Sequence, residues 1–106
     1  MKSIKVYPLK SKSSGNPVLY QYVIVEKLKN KTSIIFQSYN TIICKITTGT
    51  GANKIILDSF ALDYSRTTSK YLYNFLDNFS IVHAGKRKKE ILQAIKNKEI
   101  QTKNLN

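Results

Sequence analysis

Between Val18 and Leu57 the chain lays down one run of β-branched and aromatic residues after another, with only a few polar residues between runs. Connections that short decide the topology. A parallel pair of strands needs a crossover of about a dozen residues or more, whereas a hairpin needs only about two to five. The segment therefore reads as an antiparallel meander of three to four strands.

Val18–Lys27 carries Tyr20, Tyr22 and Ile24 on one face and Leu19, Val23 and Val25, with Gln21, on the other. Both faces are largely apolar, which predicts a central strand. Lys27-Leu28-Lys29-Asn30-Lys31 is a polar hairpin connection. Ser33–Tyr39 follows, with Ile34 and Phe36 on one side and Ile35 and Tyr39 on the other. In Thr41–Thr48, Ile42, Cys44 and Ile46 alternate with Thr41, Ile43, Lys45 and Thr47, the pattern of a strand buried on one side. Gly49-Thr50-Gly51-Ala52-Asn53 is a turn, and Lys54–Leu57 the returning strand. Upstream, Ile4-Lys5-Val6-Tyr7 predicts a short strand stopped by Pro8, and Lys10–Pro17, without an apolar residue, a mobile loop.

Tyr71, Leu72, Phe75, Leu76 and Phe79 recur at the spacing of one helical face, so residues 67–79 read as an amphipathic helix lying on the meander. Lys70, Tyr73, Asn74 and Asp77 fill its other side. Ser80–Gly85 reads as a linker. A second helix is expected from near Arg87 through Ile95, with a narrow stripe of Ile91, Leu92 and Ile95 that docks weakly, and residues 101–106 are expected to fray. The fold class is α+β: the meander packed against one helix, plus a basic C-terminal helix. Residues 1–106 read as a single domain, with its core in 18–79 and a basic extension over 86–106.

Charge bears on partners. The chain holds 18 Lys and Arg against 6 Asp and Glu, a net charge of +12. Residues 1–31 carry net +6, residues 32–85 net +1 and residues 86–106 net +5. Such basic ends suit a polyanion: nucleic acid, or an acidic host protein or ribonucleoprotein. A solvated, Lys-rich surface is the plain alternative. No stretch has the length of a signal peptide's apolar core or of a membrane span, so no membrane partner is expected and the expected setting is the cytoplasm.

Catalytic sets are thin. His83, the one histidine, sits in the linker, and Cys44, the one cysteine, falls on an apolar strand face. Asp58 and Asp63 stand where turn and capping roles are expected. Thr67 and Lys70 have the spacing of a hydroxyl-x-x-Lys nucleophile without its companion motifs, and Gly49-Thr50-Gly51 lacks the third glycine of a dinucleotide fingerprint. Neither a metal site nor a cofactor is expected, and the chain reads as non-enzymatic.

Binding candidates are better defined. Tyr64–Lys70 gathers hydroxyls and two cations where a helix begins, and free N–H groups there suit a phosphate. Ser65, Thr67 and Thr68 are the candidate anion ligands, in competition with a capping role. Arg66, Lys70, the run Lys86-Arg87-Lys88-Lys89, and Lys96 are the candidate nucleic-acid contacts. Cations at the start of the second helix oppose its dipole, a mild conflict that fits a binding role. Tyr73, on the polar helix face, is the aromatic to test for base stacking. Lysine outnumbers arginine 16 to 2, which predicts binding without sequence specificity.

Phe36-Gln37-Ser38-Tyr39-Asn40-Thr41-Ile42-Ile43-Cys44 and Asp63-Tyr64-Ser65-Arg66-Thr67-Thr68-Ser69-Lys70-Tyr71-Leu72, closing with Phe75-Leu76, resemble a family of small uncharacterised proteins of bacteriophages and mobile elements. Its motifs are Ser-Tyr-x-Thr-x-Ile and Tyr-Ser-x-Thr-Thr-Ser-Lys. The likeness spans residues 34–79, leaves both basic ends outside, and puts Cys44 where a small residue such as Ala is usual. It implies no activity and no catalytic residue. It does imply a binding role, to nucleic acid, to a host enzyme or defence complex as an inhibitor or modulator, or to another virion protein as a structural component. The charge, the basic ends and the Arg66 helix start put a nucleic-acid-binding accessory protein first among these.

Overall fold

The computed structural model describes residues 3–11, 13–49, 54–79 and 87–106. Its elements are β1 (Ser3–Lys10), β2 (Pro17–Lys27), β3 (Lys31–Ser38), β4 (Thr41–Gly49), β5 (Lys54–Asp58), α1 (Arg66–Phe79), α2 (Lys88–Lys96) and β6 (Gln101–Lys103). The fold is α+β, but the sheet has six strands rather than three to four, in sequential order β1 to β6. Every neighbouring pair through β5 is antiparallel, as the short connections require. β6 lies parallel to β5, because the chain between them is long enough to make a crossover through both helices.

Both helices cover one face of the sheet. Val23, Phe36, Cys44, Ile46 and Leu57 meet Leu72, Phe75 and Leu76 of α1 and Ile91 and Ala94 of α2 in one buried cluster. The Phe36 and Phe75 rings stack with centroids 5.5 Å apart, and Phe79 tilts against Phe75 at 5.1 Å. The apolar stripe expected on the first helix is thus the one that packs.

Several expectations give way to the structure. β1 does not stop at Pro8. It is an edge strand, so the missing proline N–H breaks no interior ladder, and a shift in register just beyond Pro8 turns Leu9 into the core. Between β1 and β2 a hairpin closes: Ser11 N–H donates to the Asn16 carbonyl at 2.8 Å and Gly15, at φ +73°, donates to the Ser11 carbonyl. β2 is interior in the sheet but packed on one face, with Gln21 and Val23 buried and Tyr22 and Ile24 half-buried, while Leu19, short of the stretch paired with β3, is 75% exposed. A bulge opposite Phe36 and Gln37 inserts Ile43 into β4, so Ile43 is buried beside Cys44 while Ile42 is only half-buried. α2 packs through Ile91, Ala94 and part of Ile95, with Leu92 outside. Docking is therefore firm, and the core reaches from Leu9 to Ile100, beyond 18–79 at both ends.

The stretch expected to fray is tied down. Beyond β6, Leu105 N–H donates to Asp58 at 2.9 Å. The Asn106 side chain accepts from the Ile42 N–H at 2.7 Å and donates to the Ile42 carbonyl at 3.0 Å. That carboxamide serves β4 as a neighbouring strand would.

Candidate nucleic-acid interface

The start of α1 is built by Asp58. Its carboxylate is buried at the end of β5 and accepts from the Phe60 N–H at 3.2 Å and the Tyr64 hydroxyl at 2.7 Å. Leu105 N–H and the Asn106 amide occupy its other oxygen. Burial pushes the Asp58 pKa up, but these four donors outweigh it and hold the group below the usual carboxylate value. The same bond raises the Tyr64 phenol, because ionisation would put two anions side by side.

Ser65 then caps α1. Thr68 N–H donates to Ser65 Oγ at 3.0 Å, and the Ser65 hydroxyl donates to Thr68 Oγ1 at 3.0 Å. The capping reading of this segment therefore describes Ser65 and Thr68: one is engaged with the helix backbone and the other is buried. Thr67 is exposed. Two of the three hydroxyls are thus engaged in capping and with each other.

The cations do better. A groove of about 610 Å³ runs between α1, Ser11 and Ser13, and the start of α2. Arg66, Lys70, Arg87 and Lys88 line it, with Asp63 and Asp77. A second hollow of about 530 Å³ lies along α2, lined by Lys88, Lys89, Lys96 and Leu92. Lys88 lines both hollows. Arg66 and Lys70 are one helical turn apart, as Lys89 and Lys96 are two turns apart, and each pair shares a helix face.

Arg87 is partly committed. Its guanidinium lies 3.7 Å from the buried Asp77 carboxylate and 5.4 Å from the Tyr73 ring centre. Tyr73 is half-buried and lines the same groove. Arg87 N–H also donates to the Glu90 carboxylate at 3.3 Å, which places an acid in the first turn of α2. The conflict between the basic run and the helix dipole is thus eased within the fold. Asn74, assigned to the polar face, is buried and donates to the Lys10 carbonyl at 2.9 Å, tying α1 to β1. Lys86, His83 and most of the Gly49–Asn53 turn lie outside the described residues.

Among the described residues no group of three or more His, Cys, Asp and Glu could hold a metal ion, and no helix is long and apolar enough to cross a membrane. Cys44 is fully buried, which raises its thiol pKa far above the ordinary value.

A family model described as a family of unknown function, DUF8033, matches residues 4–98. That span exceeds the 34–79 likeness at both ends and takes in the basic run and α2. No curated protein and no solved structure matches.

Proposed function

The chain belongs to the family of unknown function DUF8033, and since such a family passes on no activity, we propose from the groove itself that the protein is a non-enzymatic module that binds nucleic acid without sequence specificity. The observation that carries this reading is the set Arg66, Lys70, Lys88, Lys89 and Lys96, which lines two hollows that share Lys88. A phosphate backbone laid along that set releases its condensed counterions as each cation takes a phosphate. Asp63 and Asp77 temper the first hollow, and Arg87 neutralises the latter. Lysine ammonium groups read charge rather than base edges, hence the absence of specificity. The motif likeness supports a setting in a bacteriophage or mobile element, with the host cytoplasm as the compartment.

Titrating labelled duplex with protein at rising salt tests this. With all five cations on phosphates, the logarithm of the binding constant should fall against the logarithm of salt with a slope of about −4.5. Replacing the five by Gln should weaken binding by more than about tenfold at low salt and flatten the slope. Binding indifferent to salt, or a variant that binds like the wild type, refutes the reading. Stable capture of one host protein after nuclease treatment, with no nucleic-acid affinity, would favour the inhibitor reading instead.

A further inference from the structure

The sheet face away from the helices carries a second, differently built feature. Tyr20 and Tyr39 both hold left-handed backbone, at φ 63° and 53°. That conformation is costly for any residue with a Cβ and uncommon for a bulky aromatic. The two meet: Tyr39 N–H donates to the Tyr20 carbonyl at 2.7 Å, and their rings stack with centroids 5.0 Å apart and planes within 18°. Gln37 Nε2 donates to the Tyr39 carbonyl at 2.7 Å and fixes the turn from beside it. Yet Tyr20 is 49% and Tyr39 57% exposed, so the strained pair fills no core. Their chain neighbours Gln21 and Ser38 form a cross-strand pair whose buried Oε1 and Oγ find no hydrogen-bond partner among the described residues. Stability has been given up at this corner twice over, and the visible result is a pair of presented rings.

Beside the rings lies a hollow of about 620 Å³ floored by Tyr22 and Ile24 and edged by the amides of Gln37 and Asn40. By register, Lys45 and Lys54 share this face, opposite Ile35 and Thr47. We propose that the corner is a seat for unpaired nucleobases, with a base extending the Tyr20–Tyr39 stack, the Gln37 and Asn40 amides meeting its edge, and the lysines following the backbone. The inference rests on the nucleic-acid reading and assigns single strands to this face, leaving the duplex to the groove.

Each alternative occupant leaves something unmatched. An apolar partner helix would cover the rings but leave the Asn40 amide and the Gln37 side-chain oxygen unmatched, the Gln37 Nε2 being held by the Tyr39 carbonyl. A second copy brings another +12 to the face, and like charges oppose that contact. A single-stranded polyanion supplies planar faces, polar edges and negative charge together.

The test pairs Tyr20→Gly/Tyr39→Gly with Tyr39→Phe. Glycine suits left-handed backbone, so the double variant removes the rings without forcing the fold, and its melting temperature verifies that. Affinity for short oligo-dT should fall by about tenfold or more, affinity for a duplex of the same length should stay within about twofold, and Tyr39→Phe should bind as the wild type does. If the double variant binds oligo-dT like the wild type while Gln at the five groove cations abolishes duplex binding, the base seat is refuted and the groove reading stands. Wild-type protein that binds neither probe refutes both. A dimer in solution that the double variant dissolves would give this face to a second copy and overturn the proposal.

Discussion

Asp58 ties the end of β5 to the entry of α1 and to the Leu105–Asn106 segment. An aspartate at a strand end announces a turn, and its bond to the Phe60 N–H two residues on is that turn. The donors from Leu105 and Asn106 lie far along the chain, where no local pattern could have pointed to them. Because its folded pKa is depressed, Asp58 contributes stability that is fully present above the unfolded value of about 3.9 and is lost as pH falls through the folded value. Asp58→Asn turns an amide N–H₂ toward groups that also donate, and should cost about 2–3 kcal/mol in denaturant unfolding at neutral pH. The variant should also lose less stability than the wild type between about pH 5 and the acid limit. An acid limb as steep as the wild type's would mean that other carboxylates govern it. Cys44 makes a complementary case, since alternation alone placed it inside. With its thiol buried and its pKa raised, it should resist thiol reagents in native protein and react once denaturant unfolds the chain.

At the scale of elements, legibility followed burial pattern. α1 was readable because its apolar residues repeat every three to four positions and nearly all of that stripe packs. β3, β4 and β5 were readable from alternation, up to the bulge at Ile43 that no period-2 rule contains. β6 was not readable: Gln101, Thr102 and Lys103 are all exposed, and they form a strand because the edge of β5 offers backbone partners. The position of α2 is legible but the firmness of its docking is not, because Ala94 presses into the core while the larger Leu92 stays outside. For the candidate site, clustering of cations was legible and convergence was not. Ser65 was rightly suspected as a cap, and Ser65→Ala should lower stability by about 1 kcal/mol, with Ser65→Gly costing only a few tenths. Ser65 also lines the groove, so the same variants separate the two roles: a cap alters the unfolding midpoint at unchanged nucleic-acid affinity, whereas an anion ligand alters both.

For the whole molecule, the charge that recommends a polyanionic partner also acts on the fold by itself. At net +12 the compact state is a collection of like charges held closer than in the unfolded chain, and self-repulsion destabilises it. The structure relieves little of this at the groove, where Arg87 has Asp77 but, among the described residues, Arg66, Lys70 and Lys88 share the lining with one further acid, Asp63. Salt should therefore act in opposite directions on folding and on binding. Raising it from about 20 mM to about 300 mM shortens the Debye length severalfold, and screening worth about 1 kcal/mol would lift the melting temperature of a chain this size by about 4–8 °C. Over the same range nucleic-acid affinity should fall by orders of magnitude. A bound polyanion at low salt should raise the melting temperature as screening does, since a ligand held only by the folded state stabilises it by mass action. That gain should vanish at high salt and in the protein whose groove cations are replaced by Gln. Differential scanning fluorimetry across salt, with and without oligonucleotide, distinguishes the two effects in one set of curves. A melting temperature that falls with salt would mean the cations are already balanced inside the fold, and the surplus charge would then no longer argue for a polyanionic partner.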